Sequence, residues 1–328
     1  MTLFQLPIIY ALLLGITLSA VLNRTFMLLT KKFKKKKTAD EKRLHNKNIS
    51  PFGGIATSFA FLVSTIFLGR AEEDFLIIGI CAVIISIIGL LDDIINLDWK
   101  TKLLAQIIVI VYPLLKLNIF LNIESYLNLD FQNYLNFIDN MDGLTVIVSG
   151  SICLQIALLA NYSNIHKLTD ISLLLLATLL GFLIYNFPPA KLYFGDSGTL
   201  FVGYVLGFIS LIYDWLPEGG SILISPFSPV LFIFTVPVLD FLVVTTDRIS
   251  NNKSPTTGGT DHISHRLLNL GHSERKVLTE FLMLSFYFYS LLIATIFFNG
   301  VLSVISAASY LIFFVFSFFK YKNLEPLS

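Results

Sequence analysis

The chain has 328 residues, of which 55% are hydrophobic and only 14% are charged, and its mean hydropathy is +0.76. Soluble domains carry about 25% charged residues, so this composition excludes a soluble globular protein. The net charge of +1 gives no reason to expect a nucleic-acid partner. The composition predicts an all-α polytopic integral membrane protein whose partners include the lipid bilayer.

Ten apolar segments have about the length of a bilayer-crossing helix, which needs about 20 residues. They lie near residues 4–30, 52–69, 75–91, 102–121, 144–160, 171–187, 198–214, 222–245, 277–298 and 301–319. The first segment lacks a basic start and a good cleavage site, so we interpret it as an uncleaved span. With one weaker segment considered below, we expect 10 or 11 transmembrane helices in a single domain over residues 1–328.

Basic residues predict the orientation. Nine of the 23 Lys and Arg residues lie between Lys31 and Lys47, so the loop 31–51 is expected to be cytoplasmic and the N-terminus outside. The loop 246–276 is also basic and is expected on the same side. Counting spans between them places the acidic motifs and a histidine-rich loop on the cytoplasmic face.

One interval conflicts with this topology. Asp93 and Asp139 can share a face only if the chain between them crosses the membrane an even number of times, but 102–121 is the one clear span there. We hypothesise a second, short helix near 123–139, whose apolar residues roughly follow a helical period. In one alternative the apolar segment 102–121 is a re-entrant hairpin. In another the segment near 123–139 lies flat on the outside.

Three acidic motifs end or begin apolar segments: LLDDIINLDWK, NFIDNMDGL and YFGDSG. Each has a plain structural explanation on its own, because aspartates cap helices and Gly-Asp pairs form turns. Loop histidines are, by default, simply solvated. The predicted convergence of the three acidic motifs and the loop histidines on one face favours a site for a hard divalent cation and phosphate groups, since Mg²⁺ binds carboxylates together with substrate phosphates.

These motifs resemble those of a known family, the polyprenyl-phosphate N-acetylhexosamine-1-phosphate transferases. The matching segments include KRLHNKNISPFGGIA, GLLDDIINLDWKTKLLAQ, NFIDNMDGL, YFGDSGTLFVG and PVLDFLVVTTDRISNNKSPTTGGTDHISHRLLNLG, in the family's order from about residue 40 to 271. The resemblance implies transfer of a sugar phosphate from a UDP-N-acetylhexosamine to polyprenyl phosphate, with release of UMP. It also implies a bacterial inner-membrane location, a cytoplasmic active-site cleft and dependence on Mg²⁺, with Mn²⁺ as a substitute.

The resemblance assigns a role to each matching residue. It implies that Asp196 is the metal ligand and that Asp92 and Asp93 handle the lipid phosphate. The remaining catalytic residues that it implies are Asp139, His262 and His265. The substrate-binding residues that it implies are Lys102, Gln106, Asn136, Asp142, Gly143, Leu144, Tyr193 and Arg266.

The chain departs from the family pattern at two points. Asn140 replaces a glycine in DNMDGL, and because asparagine tolerates positive φ we expect the turn to persist. The interval between Asp93 and Asp139 is also short by about one helix, which leaves a non-catalytic relative as an alternative.

The donor sugar is predicted from the histidines. His262 and His265 are separated, whereas muramoyl-pentapeptide transferases carry consecutive histidines, so we expect UDP-GlcNAc or a related donor. The alternative is a phospho-N-acetylmuramoyl-pentapeptide transferase. A secondary transporter is disfavoured, because its charges would lie near the bilayer midplane and an internal repeat would often be present. A homodimer is left open.

Cysteine labelling tests the predicted orientation. Ser254→Cys, in the basic loop, should react with a membrane-impermeant thiol reagent only after cells are opened. Glu218→Cys, in a turn without Lys or Arg, should react in intact spheroplasts. The native Cys81 and Cys153 lie in apolar segments and should stay unlabelled in both conditions. Labelling of Ser254→Cys from outside would overturn the orientation.

Overall fold

The computed structural model describes residues 6–30, 49–67, 73–116, 138–212, 228–254, 259–298 and 300–326. Over these residues every regular element is a helix and none is a strand. The helices fall into two compact units, divided near residue 213. The all-α architecture predicted from composition is therefore confirmed.

The first unit is a bundle of long apolar helices. It contains α1 (Leu6–Leu29), α2 (Gly53–Phe67), α3 (Glu73–Ile95), α4 (Trp99–Lys116), α5 (Leu144–Tyr162), α6 (His166–Asn186) and α7 (Gly195–Ile212). Helix α6 packs against α1 and α5, while α7 packs against α3 and α2. Helices α5 and α6 are buried over most of their length, whereas few residues of α1 are buried, as expected for a helix that faces lipid.

The second unit contains shorter helices beside two long ones. These are α8 (Ser228–Ile233), α9 (Thr235–Ser250), α10 (Ile263–Asn269), α11 (Glu274–Phe297) and α12 (Val301–Lys322). Helix α12 packs along α11 and α9, and α10 contacts all three of these helices. Phe288 lies at the centre of an aromatic group that joins α11 to α12 through Tyr310, Phe313 and Phe314.

Six described helices are long and apolar enough to cross a membrane. They are Ile9–Leu29, Phe75–Ile95, Leu144–Tyr162, His166–Asn186, Glu274–Phe297 and Val301–Lys322. A multi-pass membrane protein is therefore confirmed. The total of 10 or 11 spans, the orientation and the single domain stay predictions, and the hypothesised helix near 123–139 lies outside the described residues except for its last two positions.

Several predicted boundaries differ from the observed helices. The segment 222–245, predicted as one span, contains two helices that meet at Phe234. The break has a physical cause, because Pro237 has no N–H to donate to the carbonyl of Ile233 and its ring crowds that carbonyl. Helix α6 begins at His166, before the predicted start of the span at 171, and α3 continues past the predicted end to include Asp92 and Asp93.

Glycines allow a close helix contact in the first unit. A Cβ added to Gly54 on α2 would lie 2.0 Å from the backbone nitrogen of Gly198 on α7. No side chain fits there without moving one backbone away from the other. The amides of Gly53 and Gly54 also donate to the carbonyls of Tyr193 and Phe194, at 3.1 and 3.0 Å, which docks the loop before α7 onto the start of α2.

Gly54→Ala tests this contact. The added methyl group should separate α2 from α7 and cost about 1–3 kcal/mol of stability, seen as a lower thermal unfolding midpoint in detergent. Gly150→Ala on α5 is the matched control, because its Cβ would meet only a Leu176 methyl at 3.4 Å. Equal midpoints for the two variants would contradict the packing described.

Candidate active site

The ammonium group of Lys102 lies between two carboxylates in the first unit. Its Nζ donates to Asp92 Oδ2 at 2.7 Å and to Asp196 Oδ2 in a shorter contact. The three side chains belong to α4, α3 and α7, and 17–27% of each remains exposed. A single cation therefore holds together two carboxylates that would otherwise repel each other, at a place that solvent and ligands can reach.

The turn between α3 and α4 presents these groups. Asn96 adopts a left-handed conformation at φ 51°, and Asp92 Oδ1 accepts a hydrogen bond from the amide of Leu97 at 2.8 Å. Asp98 then caps α4 by accepting from the amides of Lys100 and Thr101, at 2.8 and 3.2 Å. The chain thus reverses within three residues, so Lys102 in the first turn of α4 points back to the end of α3.

Gly195 and Asp93 meet at the start of α7. Gly195 has φ 68°, and a Cβ added to it would lie 2.5 Å from Asp93 Oδ2. The same oxygen lies 3.5 Å from the amide nitrogen of Ser197. Asp93 therefore approaches the N-terminal turn of α7, where exposed amides and the helix dipole favour negative charge, and Asp196 lies in that same turn.

The DNMD turn lies at the same end of this unit. Asp142 Oδ2 accepts from the amide of Ala190 at 2.9 Å, in the loop that leads into α7. Asp139 Oδ1 accepts from the hydroxyl of Thr145 at 3.1 Å. All five predicted aspartates are thus placed at one end of the bundle of the first unit. The number of crossings between Asp93 and Asp139 stays a prediction, because residues 117–137 lie outside the described residues.

The turn persists despite Asn140, but for a different reason from the one expected. The left-handed conformation falls on Gly143, at φ 75°, where α5 begins, and Asn140 is buried. Leu144 is buried as the first residue of α5. The replacement of glycine by Asn140 therefore leaves Gly143, the residue that needs positive φ, unchanged.

Asn186 is a site residue that sequence reasoning missed. Its Oδ1 accepts from the amide of Gly143 at 3.0 Å, and its Nδ2 donates to the carbonyl of Leu192 at 2.9 Å. The side chain is 5% exposed and joins the DNMD turn to the loop before α7. The available signal was an asparagine at the end of an apolar helix, directly before FPPAK.

The other predicted binding residues have mixed positions. Tyr193 is buried, and its backbone amide donates to the carbonyl of Ser50 at 2.9 Å. Gln106 is buried one helical turn after Lys102. Asn136 lies outside the described residues. Their contacts with substrate stay predictions.

In the second unit, His262 is held by a buried aspartate. His262 Nδ1 lies 2.8 Å from Asp240 Oδ2, and Asp240 Oδ1 accepts from the amide of Ile263 at 2.8 Å. Asp240 is 1% exposed on α9. His265 is fully buried, with its ring centre 5.9 Å from that of His262. Asp240 lies within the matching segment PVLDFL, but the resemblance assigns it no role.

Arg266, predicted to bind substrate, donates to four oxygens inside the second unit. Its Nε donates to the carbonyl of Asp261, and Nη2 donates to Asp247 Oδ2, both at 2.7 Å. Nη1 donates to the carbonyls of Lys322 and Leu324, at 3.0 and 2.6 Å. The side chain is 1% exposed. These contacts favour a structural role, in which Arg266 fastens α10 to the end of α12.

A second ion pair fixes the loop before α10. Arg248 donates to both oxygens of Asp261 at 2.7 Å. Burial alone would raise the pKa of Asp261, but the hydrogen bonds and charge of Arg248 outweigh it and hold this pKa below its usual range. The pair therefore stabilises the fold above the unfolded pKa of aspartate, and the stabilisation is lost as pH falls through the folded value.

Apolar helices with carboxylates gathered at their ends define a multi-pass membrane protein with an acidic site. Residues 75–214 match the family model described as glycosyl transferase family 4. This range contains Asp92, Lys102, Asp196 and the DNMD turn. A Bacillus subtilis protein, probable undecaprenyl-phosphate N-acetylglucosaminyl 1-phosphate transferase, is 30% identical over 75% of this chain and 73% of its own length. The chain belongs to glycosyl transferase family 4.

Two further relatives represent different branches. The decaprenyl-phosphate N-acetylglucosaminephosphotransferase of Mycobacterium leprae is 31% identical over 60% of this chain and 58% of that protein. The phospho-N-acetylmuramoyl-pentapeptide-transferase of Orientia tsutsugamushi is 27% identical over 72% of this chain and 77% of that protein. The family predicted from the motifs is confirmed.

Arg266→Lys tests the structural role of this arginine. A lysine keeps the charge but cannot reach the four oxygens at once, so buried acceptors lose their donors, and the thermal midpoint should fall by roughly 5–10 °C. Arg24→Lys, at an exposed position on α1, is the control and should leave the midpoint unchanged. A midpoint for Arg266→Lys that matches the control would show that the contacts contribute little.

Proposed function

We propose that this protein transfers N-acetylglucosamine 1-phosphate from UDP-N-acetylglucosamine to polyprenyl phosphate in the bacterial plasma membrane. The product, a polyprenyl diphosphate sugar, would begin the synthesis of a cell-envelope glycan. The observation that carries the proposal is the pair of carboxylates, Asp92 and Asp196, held around one cationic position in a chain of this family. The names of the two N-acetylglucosamine-type relatives supply the substrate class.

The reaction exchanges one phosphorus–oxygen bond for another. A phosphate oxygen of the polyprenyl phosphate attacks the β-phosphorus of the UDP-sugar, and the bond from that phosphorus to the UMP oxygen breaks. UMP leaves with the bonding electrons, and the bond between sugar and phosphate stays intact. Both reactants are anionic, so the site must neutralise charge while it keeps them in line.

The residues present fit a divalent cation of the Mg²⁺ type. Asp92 and Asp196 offer hard carboxylate oxygens, the kind of ligand that Mg²⁺ prefers. The ammonium group of Lys102 lies between them, so this position is suited to positive charge. No group of three or more His, Cys, Asp or Glu side chains that could hold a metal occurs among the described residues, so the other ligands would be phosphate oxygens and water. When bound, the cation would neutralise the developing charge on the phosphates.

The remaining groups act on the substrates without a metal. Asp93, beside the start of α7, is proposed to orient the lipid phosphate or to accept its proton. The DNMD turn, fixed by Asn186 and Ala190, is proposed to border the nucleoside. His262 and His265 are proposed to contact the donor diphosphate, as the family resemblance implies. Imidazole N–H groups can donate hydrogen bonds to phosphate oxygens, and such bonds are stronger when the ring is charged.

Several features support N-acetylglucosamine over the muramoyl-pentapeptide. The relative from the N-acetylglucosamine branch is 30% identical over most of the chain, against 27% for the muramoyl-pentapeptide relative. The two histidines are also separated by two residues instead of being consecutive. Cytoplasmic orientation of the site completes the proposal, because the UDP-sugar donor is a soluble cytoplasmic nucleotide.

Purified protein with undecaprenyl phosphate and a panel of UDP-sugars tests the proposal. UMP release should be largest with UDP-N-acetylglucosamine and should require Mg²⁺ or Mn²⁺. Asp196→Asn should lower metal-supported turnover by on the order of 10²–10³-fold, because the neutral amide removes several kcal/mol of charge stabilisation around the cation.

Asp98→Asn is the matched control. This exposed aspartate also lies near the start of α4, and asparagine caps a helix equally well, so turnover should stay near the wild-type rate. Near-normal turnover of Asp196→Asn at ordinary Mg²⁺ concentration would show that the metal ligand is another residue. Turnover only with UDP-N-acetylmuramoyl-pentapeptide would establish the alternative branch.

A further inference from the structure

Asp240 stands out in the second unit because it is an acid on a buried apolar face. Its neighbours along that face of α9, Val236, Leu239, Val243 and Val244, are each at most 1% exposed, and Asp240 is itself 1% exposed. An uncompensated carboxylate in such surroundings would be strongly destabilising. Its presence therefore calls for partners that use the charge.

Both oxygens of Asp240 are directed to the start of α10. Oδ2 lies 2.8 Å from His262 Nδ1, and Oδ1 accepts from the amide of Ile263 at 2.8 Å. His262 is the N-cap residue of α10, but its own side chain makes no capping hydrogen bond. Asp240 thus replaces the missing cap from the neighbouring helix and holds the imidazole with the same carboxylate.

Helix α10 needs this support because it is short. It has seven residues, and an isolated helix of that length is not stable in water. Asp240 fixes its first turn, and Arg266, one turn later, joins it to Asp247 on the same helix α9. The orientation of α10, and hence of the His262 ring, is imposed by α9.

We propose that Asp240 is a positioning residue for His262: it keeps the proton on Nδ1 and aims Nε2 at the phosphates of the donor. A carboxylate accepts and cannot donate, so the ring nitrogen that faces it must carry hydrogen. The opposite nitrogen, Nε2, is then the atom that interacts with substrate, in a fixed direction. The part of this inference that concerns the donor phosphates rests on the proposed function. The position of the proton on the His262 ring does not depend on the proposed function.

Nitrogen NMR of protein labelled with ¹⁵N-histidine tests the proton position without turnover. The chain has five histidines, so comparison with His262→Ala identifies the His262 signals. Wild-type protein should show protonated Nδ1, and Asp240→Asn should move the neutral ring toward the Nε2–H form, because an amide can donate to Nδ1. Wild-type His262 with Nδ1 unprotonated would overturn the proposal, even if Asp240→Asn fails to fold.

A double-mutant cycle tests whether Asp240 acts through His262. Asp240→Asn alone should lower kcat by roughly 10–100-fold. In the His262→Ala background the same substitution should have almost no further effect on kcat, because the residue it positions is gone. Multiplicative losses in the cycle would mean that Asp240 is only structural and would refute the proposal.

Asp247→Asn is the matched control, since this aspartate lies two turns further on α9 and contacts Arg266 instead of His262. Its effect on kcat, whatever its size, should be the same with and without His262. If Asp240→Asn behaves like this control in the cycle, the positioning role is wrong. If no variant or wild-type protein turns over any UDP-sugar, the proposed function fails while the NMR result still decides the Asp240–His262 pair.

Discussion

One electrostatic constraint organises the candidate site of the first unit: a cation between Asp92 and Asp196 offsets the repulsion of two carboxylates that lie side by side. Lys102 supplies the cation, and in doing so connects α3, α4 and α7 at their ends. Other local features serve this contact. The left-handed Asn96 and the Asp98 cap turn α4 back toward α3, and Gly195 leaves room for Asp93. The cation and the two carboxylates together form a position that attracts phosphate and metal alike.

Buried charge is organised differently in the second unit. There, among the described residues, Asp240 pairs with His262, Asp247 with Arg266, and Asp261 with Arg248. Little of this network is exposed, so it acts by fixing geometry more than by attracting ligands. The group of Lys102, Asp92 and Asp196 in the first unit is suited to binding charged ligands, whereas the second unit is suited to holding histidines in a defined orientation.

The sequence predicted the helical membrane architecture and the family, because apolar length and motif order depend on local residues. It also predicted that Asp92, Asp93, Asp139, Asp142 and Asp196 would converge. It did not predict the roles of Asn186 and Asp240, since each acts on backbone or side chains that only the folded chain brings near. The partners of Arg266 near residues 322–324 could not be predicted for the same reason, because they are over 50 positions away in the chain; its contact with substrate stays a prediction.

The central claim is that a phosphate moves with the sugar, and a donor labelled with ³²P at the β-phosphate measures this directly. Purified protein, Mg²⁺, undecaprenyl phosphate and labelled UDP-N-acetylglucosamine should give a labelled organic-soluble lipid and unlabelled UMP. Label that stays in the aqueous phase as UDP, with an unlabelled glycolipid product, would show transfer of the sugar alone and would contradict the account.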